Sequence, residues 1–225
     1  MTALRTLKKE LRQRIKIALA ELPPESVTSQ SRLAFPLSIH QCKLSGAPAS
    51  GAVKTLLSTP EYRAAKRISV YLSMPSGEIS TVGIVHDALK QGKKVLIPYT
   101  YKLASPKLGQ PKSIMDMLEL RSLSDFDSLK PDNWGIPTPS QESVAERENS
   151  FGSKGVTGGE FAVSGEITGG LDLIVMPGMA FDLDFGRLGH GKGFYDYFLA
   201  RCHQYCMQKA SMKMPFLGEI ILCYI

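Results

Sequence analysis

Two short apolar runs bracket a stretch of helical period: Arg67-Ile-Ser-Val-Tyr-Leu-Ser-Met74 and Lys93-Lys-Val-Leu-Ile-Pro98, with Thr81 to Gln91 between them. The first run has the β-branched and aromatic content of a strand and stops at Pro75-Ser76-Gly77. In the middle stretch Ile84, Val85, Ala88 and Leu89 fall on one helical face, Thr81 stands where a cap belongs, and Gly92 lies just past the end. Strand, helix and strand in this order make a βαβ unit. Such a unit favours parallel strands, a right-handed crossover and a sheet covered by helices on both faces.

The rest of the chain extends that frame. Leu171-Asp-Leu-Ile-Val-Met176 reads as a buried strand ending at Pro177-Gly178, Met115 to Leu120 as a further strand, and Phe194 to Cys206 as a helix. In the first segment Leu4, Leu7, Leu11, Ile15, Ala18, Leu19 and Leu22 form one apolar stripe opposite a basic face, until Pro23-Pro24 ends the helix. Ser26 to Gln41 is expected to be helical in part, broken at Pro36, and Ser45 to Ser50 to be a loop. Lys130 to Pro139 is turn-rich and carries Trp134, the sole tryptophan. From Gln141 to Gly170 glycine, serine and glutamate dominate, which predicts a flexible surface insertion that tolerates deletion. With 225 residues, the expected architecture over 1–225 is a single-domain α/β fold, a three-layer α/β/α with a mostly parallel sheet. Its ligand cleft belongs at the carboxyl ends of the strands.

Composition removes several classes of function. No apolar run approaches the ~20 residues a membrane helix needs. The net charge of +6 is partly local, since Arg5, Lys8, Lys9, Arg12, Arg14 and Lys16 all fall in the first sixteen residues. A basic helix can meet nucleic acid, a polyanionic small molecule or only water. Residues 4 to 22 contain no aromatic side chain on which a base would stack, which argues against nucleic acid. The four cysteines include no CxxC pair, and Cys202, His203 and Cys206 make at most half of a zinc site, so a reducing cytoplasm is the expected setting. The arginine-rich first helix also has the character of a mitochondrial transit peptide, against which stand Glu10 and the lack of a serine-rich stretch.

The sharpest local feature is Gly186-Arg-Leu-Gly-His-Gly-Lys-Gly-Phe-Tyr-Asp196, placed after a buried strand and opening a helix. Glycines at 189, 191 and 193 allow close backbone approach to an anion, and the helix N-terminus supplies amide donors. Two phosphate-binding motifs are near misses. Gly186 to Lys192 matches G-x-x-x-x-G-K, but Gly193 replaces the hydroxyl residue that would meet magnesium, and the glycine spacing is not G-x-G-x-x-G. Taken alone, the loop reads either as a phosphate cradle or as a glycine-rich turn.

Three separated pieces taken together carry a resemblance: Lys8-Lys-Glu-Leu-Arg12, Leu72-Ser-Met-Pro-Ser-Gly-Glu-Ile79, and Met176-Pro-Gly through Asp196. In this order and spacing the chain resembles the 5-formyltetrahydrofolate cyclo-ligase family from about Thr6 to about Cys202. The resemblance implies ATP as co-substrate, Mg2+, and closure of 5-formyltetrahydrofolate to 5,10-methenyltetrahydrofolate by a cytoplasmic monomer. It places Lys8, Lys9, Glu10, Leu11 and Arg12, together with Arg187, Leu188, Gly189, His190, Gly191, Lys192, Gly193, Phe194 and Tyr195, around the nucleotide. Arg12, Leu72, Glu78 and the run His190, Gly191, Lys192, Gly193 and Phe194 border the folate, and Asp196 is a metal ligand. Lys192 and Arg187 are the residues expected to stabilise the transferring phosphoryl group, and Trp134 is a candidate to stack on the pterin. Phosphoryl transfer needs positioning and charge neutralisation, so no protein nucleophile is required.

Three departures from the family pattern accompany the resemblance. His190 stands where a larger basic or aromatic residue is usual, and Phe194 replaces a tyrosine. After Pro215-Phe-Leu-Gly-Glu-Ile-Ile-Leu-Cys-Tyr-Ile225 there is no counterpart of a family segment bearing a second metal-binding aspartate. This predicts a truncated C-terminus with an exposed sheet edge, and it makes a noncatalytic relative that binds folate or nucleotide the alternative expectation.

Overall fold

The computed structural model describes residues 2–20, 32–34, 49–75, 78–160, 169–181, 186–209 and 213–221. Its helices are α1 (Thr2–Ala20), α2 (Ala49–Ser58), α3 (Pro60–Ala64), α4 (Val82–Lys90), α5 (Leu123–Ser128), α6 (Gln141–Val144) and α7 (Phe194–Gln208). Its strands are β1 (Arg32–Ala34), β2 (Arg67–Val70), β3 (Lys94–Lys102), β4 (Ser113–Leu120), β5 (Lys130–Pro131), β6 (Pro137–Thr138), β7 (Leu173–Pro177), β8 (Ala180–Phe181), β9 (Arg187–Leu188) and β10 (Phe216–Ile221).

The βαβ unit forms as the period of its residues requires. β2 and β3 pair in parallel with α4 between them, and β7 and then β10 extend the parallel set on the other side of β2. The sheet order is β1-β10-β7-β2-β3-β4, with antiparallel partners only at the two edges. Register aligns Ile68 with Val95 and with Leu173, so alternate residues of neighbouring strands share a face. One face buries Ile68, Val70, Val95, Ile97, Leu173 and Val175 under α2, α3 and α4. The other buries Leu96, Met115, Met117, Ile174 and Met176 under Tyr195, Phe198, Cys202 and Tyr205 of α7. These are the three layers expected. Each fully buried Leu, Ile or Val contributes about 1.5–3 kcal/mol to holding them together.

Local chemistry fixes the helix starts. Thr59 accepts the Tyr62 N–H through its side chain at the head of α3, with Pro60 as the first helical residue. Ser122 accepts the Asp125 N–H in the same way at the head of α5.

Several expectations are corrected. The β2 ladder ends at Val70, while Tyr71 and Leu72 run on as buried extended chain. β3 continues past Pro98 to Lys102 because β4, beginning at Ser113, pairs with it along its length. Ala49 and Ser50 open α2 instead of lying in a loop. Within Ser26 to Gln41, residues Arg32–Ala34 form a strand; the remainder of that expectation lies outside the described residues. The apolar stripe of α1 buries Ile15, whereas Leu4, Leu7 and Leu11 are exposed. β10 is an interior strand, flanked by β7 and β1, so the expected exposed edge is not found there.

Within the expected insertion 141–170, of which 161–168 lie outside the described residues, residues 147–151 are built into the fold. Val144, Arg147, Asn149, Ser150 and Phe151 are all buried, and the Phe151 ring packs against Phe198 and Tyr205 of α7. Asn149 uses its side-chain oxygen and nitrogen to hold Phe151, Ser153 and Gly155 in a tight turn. Arg147 and Asn149 face inward because backbone and side-chain partners satisfy them there, while Gln141, Glu142, Glu146, Lys154 and Glu160 stay exposed.

Candidate functional site

α1 reaches the carboxyl end of the sheet through a small apolar contact, in which Ile15 packs on Met179 and Ala180 with Leu188 beside them. β8 and β9 pair antiparallel, and the Met179 N–H donates to the Leu188 carbonyl at 2.8 Å. From β9 the chain enters the glycine loop. There the Arg12 Nε donates to the Gly189 carbonyl at 2.9 Å, across 177 positions of sequence. Gly191 has φ +89°, and a Cβ on it would stand 3.1 Å from the Arg12 guanidinium carbon. Both the backbone region and the close approach therefore favour glycine at 191.

Gly193, at φ +72°, turns the chain into α7, and its carbonyl accepts the Tyr197 N–H at 2.9 Å. The amides of the first helical turn and their share of the helix dipole face the loop. His190 and Lys192 of the loop are exposed, as are Lys8, Lys9, Glu10 and Leu11 on α1, while Arg12, Leu188 and Phe194 are half-buried. Lys8, Arg12 and Lys16 share one face of α1 at four-residue spacing. Lys16 was not singled out among the candidate residues; its signal was the same spacing, one turn beyond Arg12.

The loop's own histidine stands among these cations. Burial, followed by the charges of Lys16, Arg12 and Arg187, holds His190 below the usual imidazole range. Its Nε2 stands 4.0 Å from Glu78 Oε1, joining the glycine loop to the segment after β2. The other oxygen of Glu78 accepts the Met74 N–H at 2.9 Å. Burial pushes the Glu78 carboxyl above the usual range, and the Met74 bond offsets only part of that. Leu72, just before this segment, packs into the core beneath it and is 6% exposed.

Arg187 is turned inward. It donates from Nη2 to Asp196 Oδ1 at 2.7 Å and from Nη1 to the Pro177 carbonyl at 3.3 Å, and its guanidinium lies over the Tyr195 ring at 5.3 Å. Asp196 itself is 75% exposed. Among the described residues no three His, Cys, Asp or Glu side chains gather as a ready-made metal cage. A magnesium ion carried on phosphates needs only one or two carboxylates, with water and phosphate oxygens completing its shell. The exposed Asp196 carboxylate fits that mode. Tyr195 is buried beside these groups; burial first, and then Glu78, push its phenol up, against the pull of Arg187.

Trp134 is 69% exposed, on a turn that Asp132 organises by accepting the N–H groups of Trp134 at 2.8 Å and Ile136 at 2.9 Å. Gly135 follows at φ +77°, where a Cβ would stand 2.6 Å from the Pro75 ring. The indole's turn thus lies against the segment that carries Glu78. The structure brings together α1, the glycine loop, Asp196, the Leu72–Glu78 segment and the Trp134 turn at one end of the sheet.

The chain is similar to several known proteins. The model of the 5-formyltetrahydrofolate cyclo-ligase family matches residues 5–219. A mouse protein named 5-formyltetrahydrofolate cyclo-ligase is 37% identical over 161 residues, covering 71% of this chain and 66%, just under two thirds, of its own. A Caenorhabditis elegans protein named probable 5-formyltetrahydrofolate cyclo-ligase is 29% identical over 214 residues, 95% of this chain and 82% of its own. The solution structure of Aquifex aeolicus 5,10-methenyltetrahydrofolate synthetase superposes with a TM-score of 0.53 at 21% identity, covering 95% of this chain and 89% of that one. That likeness supports the fold.

Proposed function

The chain belongs to the 5-formyltetrahydrofolate cyclo-ligase family, and from that premise we propose that it closes 5-formyltetrahydrofolate to 5,10-methenyltetrahydrofolate at the expense of ATP. The observation that carries this reading is the bond from Arg12 Nε to the Gly189 carbonyl, which sets a basic helix face against a glycine loop at a helix N-terminus. Cations and backbone amides converging on one small space suit a polyphosphate. The neighbouring Glu78 supplies a fixed acceptor for N–H groups of a reduced pteridine, and the exposed Trp134 a flat apolar face for its ring.

When bound, ATP supplies the phosphoryl group that turns the formyl oxygen into a leaving group, and the ring closes as phosphate departs. Lys8, Arg12 and Lys192 neutralise the phosphate charge from the solvent side, and the loop amides do so from the α7 side. Arg187 would reach the same phosphates by exchanging Asp196 for them; Asp196 is then the described carboxylate that would hold a magnesium ion, which would supply further positive charge toward the phosphates. The proposed setting is a monomer in the cytoplasm.

Growth of methenyltetrahydrofolate absorbance from 5-formyltetrahydrofolate, dependent on ATP and Mg2+, tests the reading, and no growth from folded protein refutes it. Within it, Glu78→Gln is expected to raise the KM for the folate roughly tenfold and leave the KM for ATP within about twofold. Equal loss for both substrates would remove Glu78 from the folate side.

A further inference from the structure

The Tyr195 hydroxyl is buried and has no hydrogen-bond partner among the described residues. Other side-chain atoms in that condition, such as Ser69 Oγ and Arg201 Nε, belong to the sheet and its packed faces. Tyr195 alone stands in the first turn of α7, directly behind the glycine loop and under the Arg187 guanidinium. Its ring packs with Met176 and Phe198, which anchors the body of the side chain against the sheet. Its hydroxyl lies within the influence of Glu78 and Tyr71, at the carboxyl end of β2. Tyr71 has already committed its own proton to the Ile79 carbonyl at 3.0 Å.

A buried hydroxyl left without a partner is unfavourable, and native structures retain such groups mainly where something else completes them. The neighbouring Glu78 is an acceptor held by Met74, so the pair offers a ligand one acceptor and one donor. We infer that Tyr195 is a specificity-determining residue of the folate subsite, its hydroxyl donating to a carbonyl oxygen of the folate while Glu78 accepts from adjacent N–H groups. The inference rests on the cyclo-ligase reading and adds to it, because it turns Tyr195 from the nucleotide toward the folate. A reduced pteridine carries a ring carbonyl beside ring and amino N–H groups, which matches that order of donor and acceptor.

Tyr195→Phe removes the hydroxyl and keeps the ring. Thermal melting of the free variant is expected to match or exceed that of the parent chain, since an unsatisfied group has been taken away. Calorimetric titration is expected to show the Kd for 5-formyltetrahydrofolate raised roughly tenfold and the Kd for ATP changed less than about twofold. A lower melting temperature would show that the hydroxyl already has a structural partner, and an unchanged folate Kd would show that a water or nothing meets it; either result overturns the inference. Because binding is read directly, the test stands apart from turnover. A parent chain that binds the folate without converting it fails the proposed function yet still tests Tyr195, and one that binds no folate overturns both.

Discussion

Where β2, β3 and β7 begin, the sheet is closed by paired charges; where β2 and β7 end, most charges stand open. At the first end Glu148 receives Arg67 Nη1 at 2.8 Å and also Lys94 Nζ, and Asp172 accepts the backbone N–H groups of Lys66 and Arg67. Close by, Arg147 grips both oxygens of Asp125, each at 2.7 Å, with its own side chain 3% exposed. At the second end the Lys192 side chain is exposed, Glu78 accepts the Met74 N–H and stands 4.0 Å from a histidine, and burial followed by three cations holds His190 down. The first end lowers the energy of the free protein. The second accumulates like charge that the free protein does not neutralise, and a bound polyanion relieves it.

The contrast is broken most directly at the paired end. Arg147→Met leaves the Asp125 carboxylate partly buried without its partner and is expected to cost about 3 kcal/mol of stability, read by denaturant unfolding. The KM values of the folded variant should stay unchanged, and altered KM values would mean that the two ends are coupled. The same end has a pH signature. Burial pushes Asp125 and Glu148 up, but bonds from Arg147 and Arg121, and from Lys94 and Arg67, outweigh it and hold both below the usual carboxylate range. Their contribution is therefore complete above the unfolded pKa and lost as pH falls through the folded one, so unfolding should ease below about pH 4.

The open end should respond in the opposite sense. Lys192→Ala is expected to lower kcat/KM for ATP about 100-fold, while unfolding free energy moves by less than about 0.5 kcal/mol. A large stability loss there would make the loop lysine structural. The smallest effect concerns His190. Burial and then the neighbouring cations hold its imidazole down; bound polyphosphate offsets the cations' share, so the complex takes up a proton and ATP affinity rises as pH falls toward about 6.5. Titration at pH 8 and pH 6.5 should differ by roughly threefold beyond what His190→Asn shows, and equal slopes in the two proteins would remove the histidine from the linkage.

The contrast also marks what could be read from the sequence. The βαβ unit was legible because period and burial agree within each short segment, as at Ile84, Val85 and Ala88. β1 was not, since three residues have no period and owe their strand to β10 far along the chain. The paired end was missed for a related reason. Arg147, Glu148 and Asn149 sit among serines and glycines, so their polarity suggested solvent, whereas their partners Asp125, Arg67 and Lys94 are distant in sequence. At the open end the glycines announced a tight loop, and the positive φ values at Gly191 and Gly193 account for two of them. That Arg12 would reach Gly189, or that Arg187 would clasp Asp196, depends on tertiary docking that no local pattern encodes.

The clash that any side chain at position 135 would make with Pro75 ties the Trp134 turn to the Glu78 segment. Trp134 is the chain's single tryptophan, so its fluorescence comes from one known place. An indole that is open to water and borders the proposed folate subsite should shift and quench when a ring covers it. The untouched protein therefore carries its own optical gauge of occupancy, one that needs neither label nor turnover.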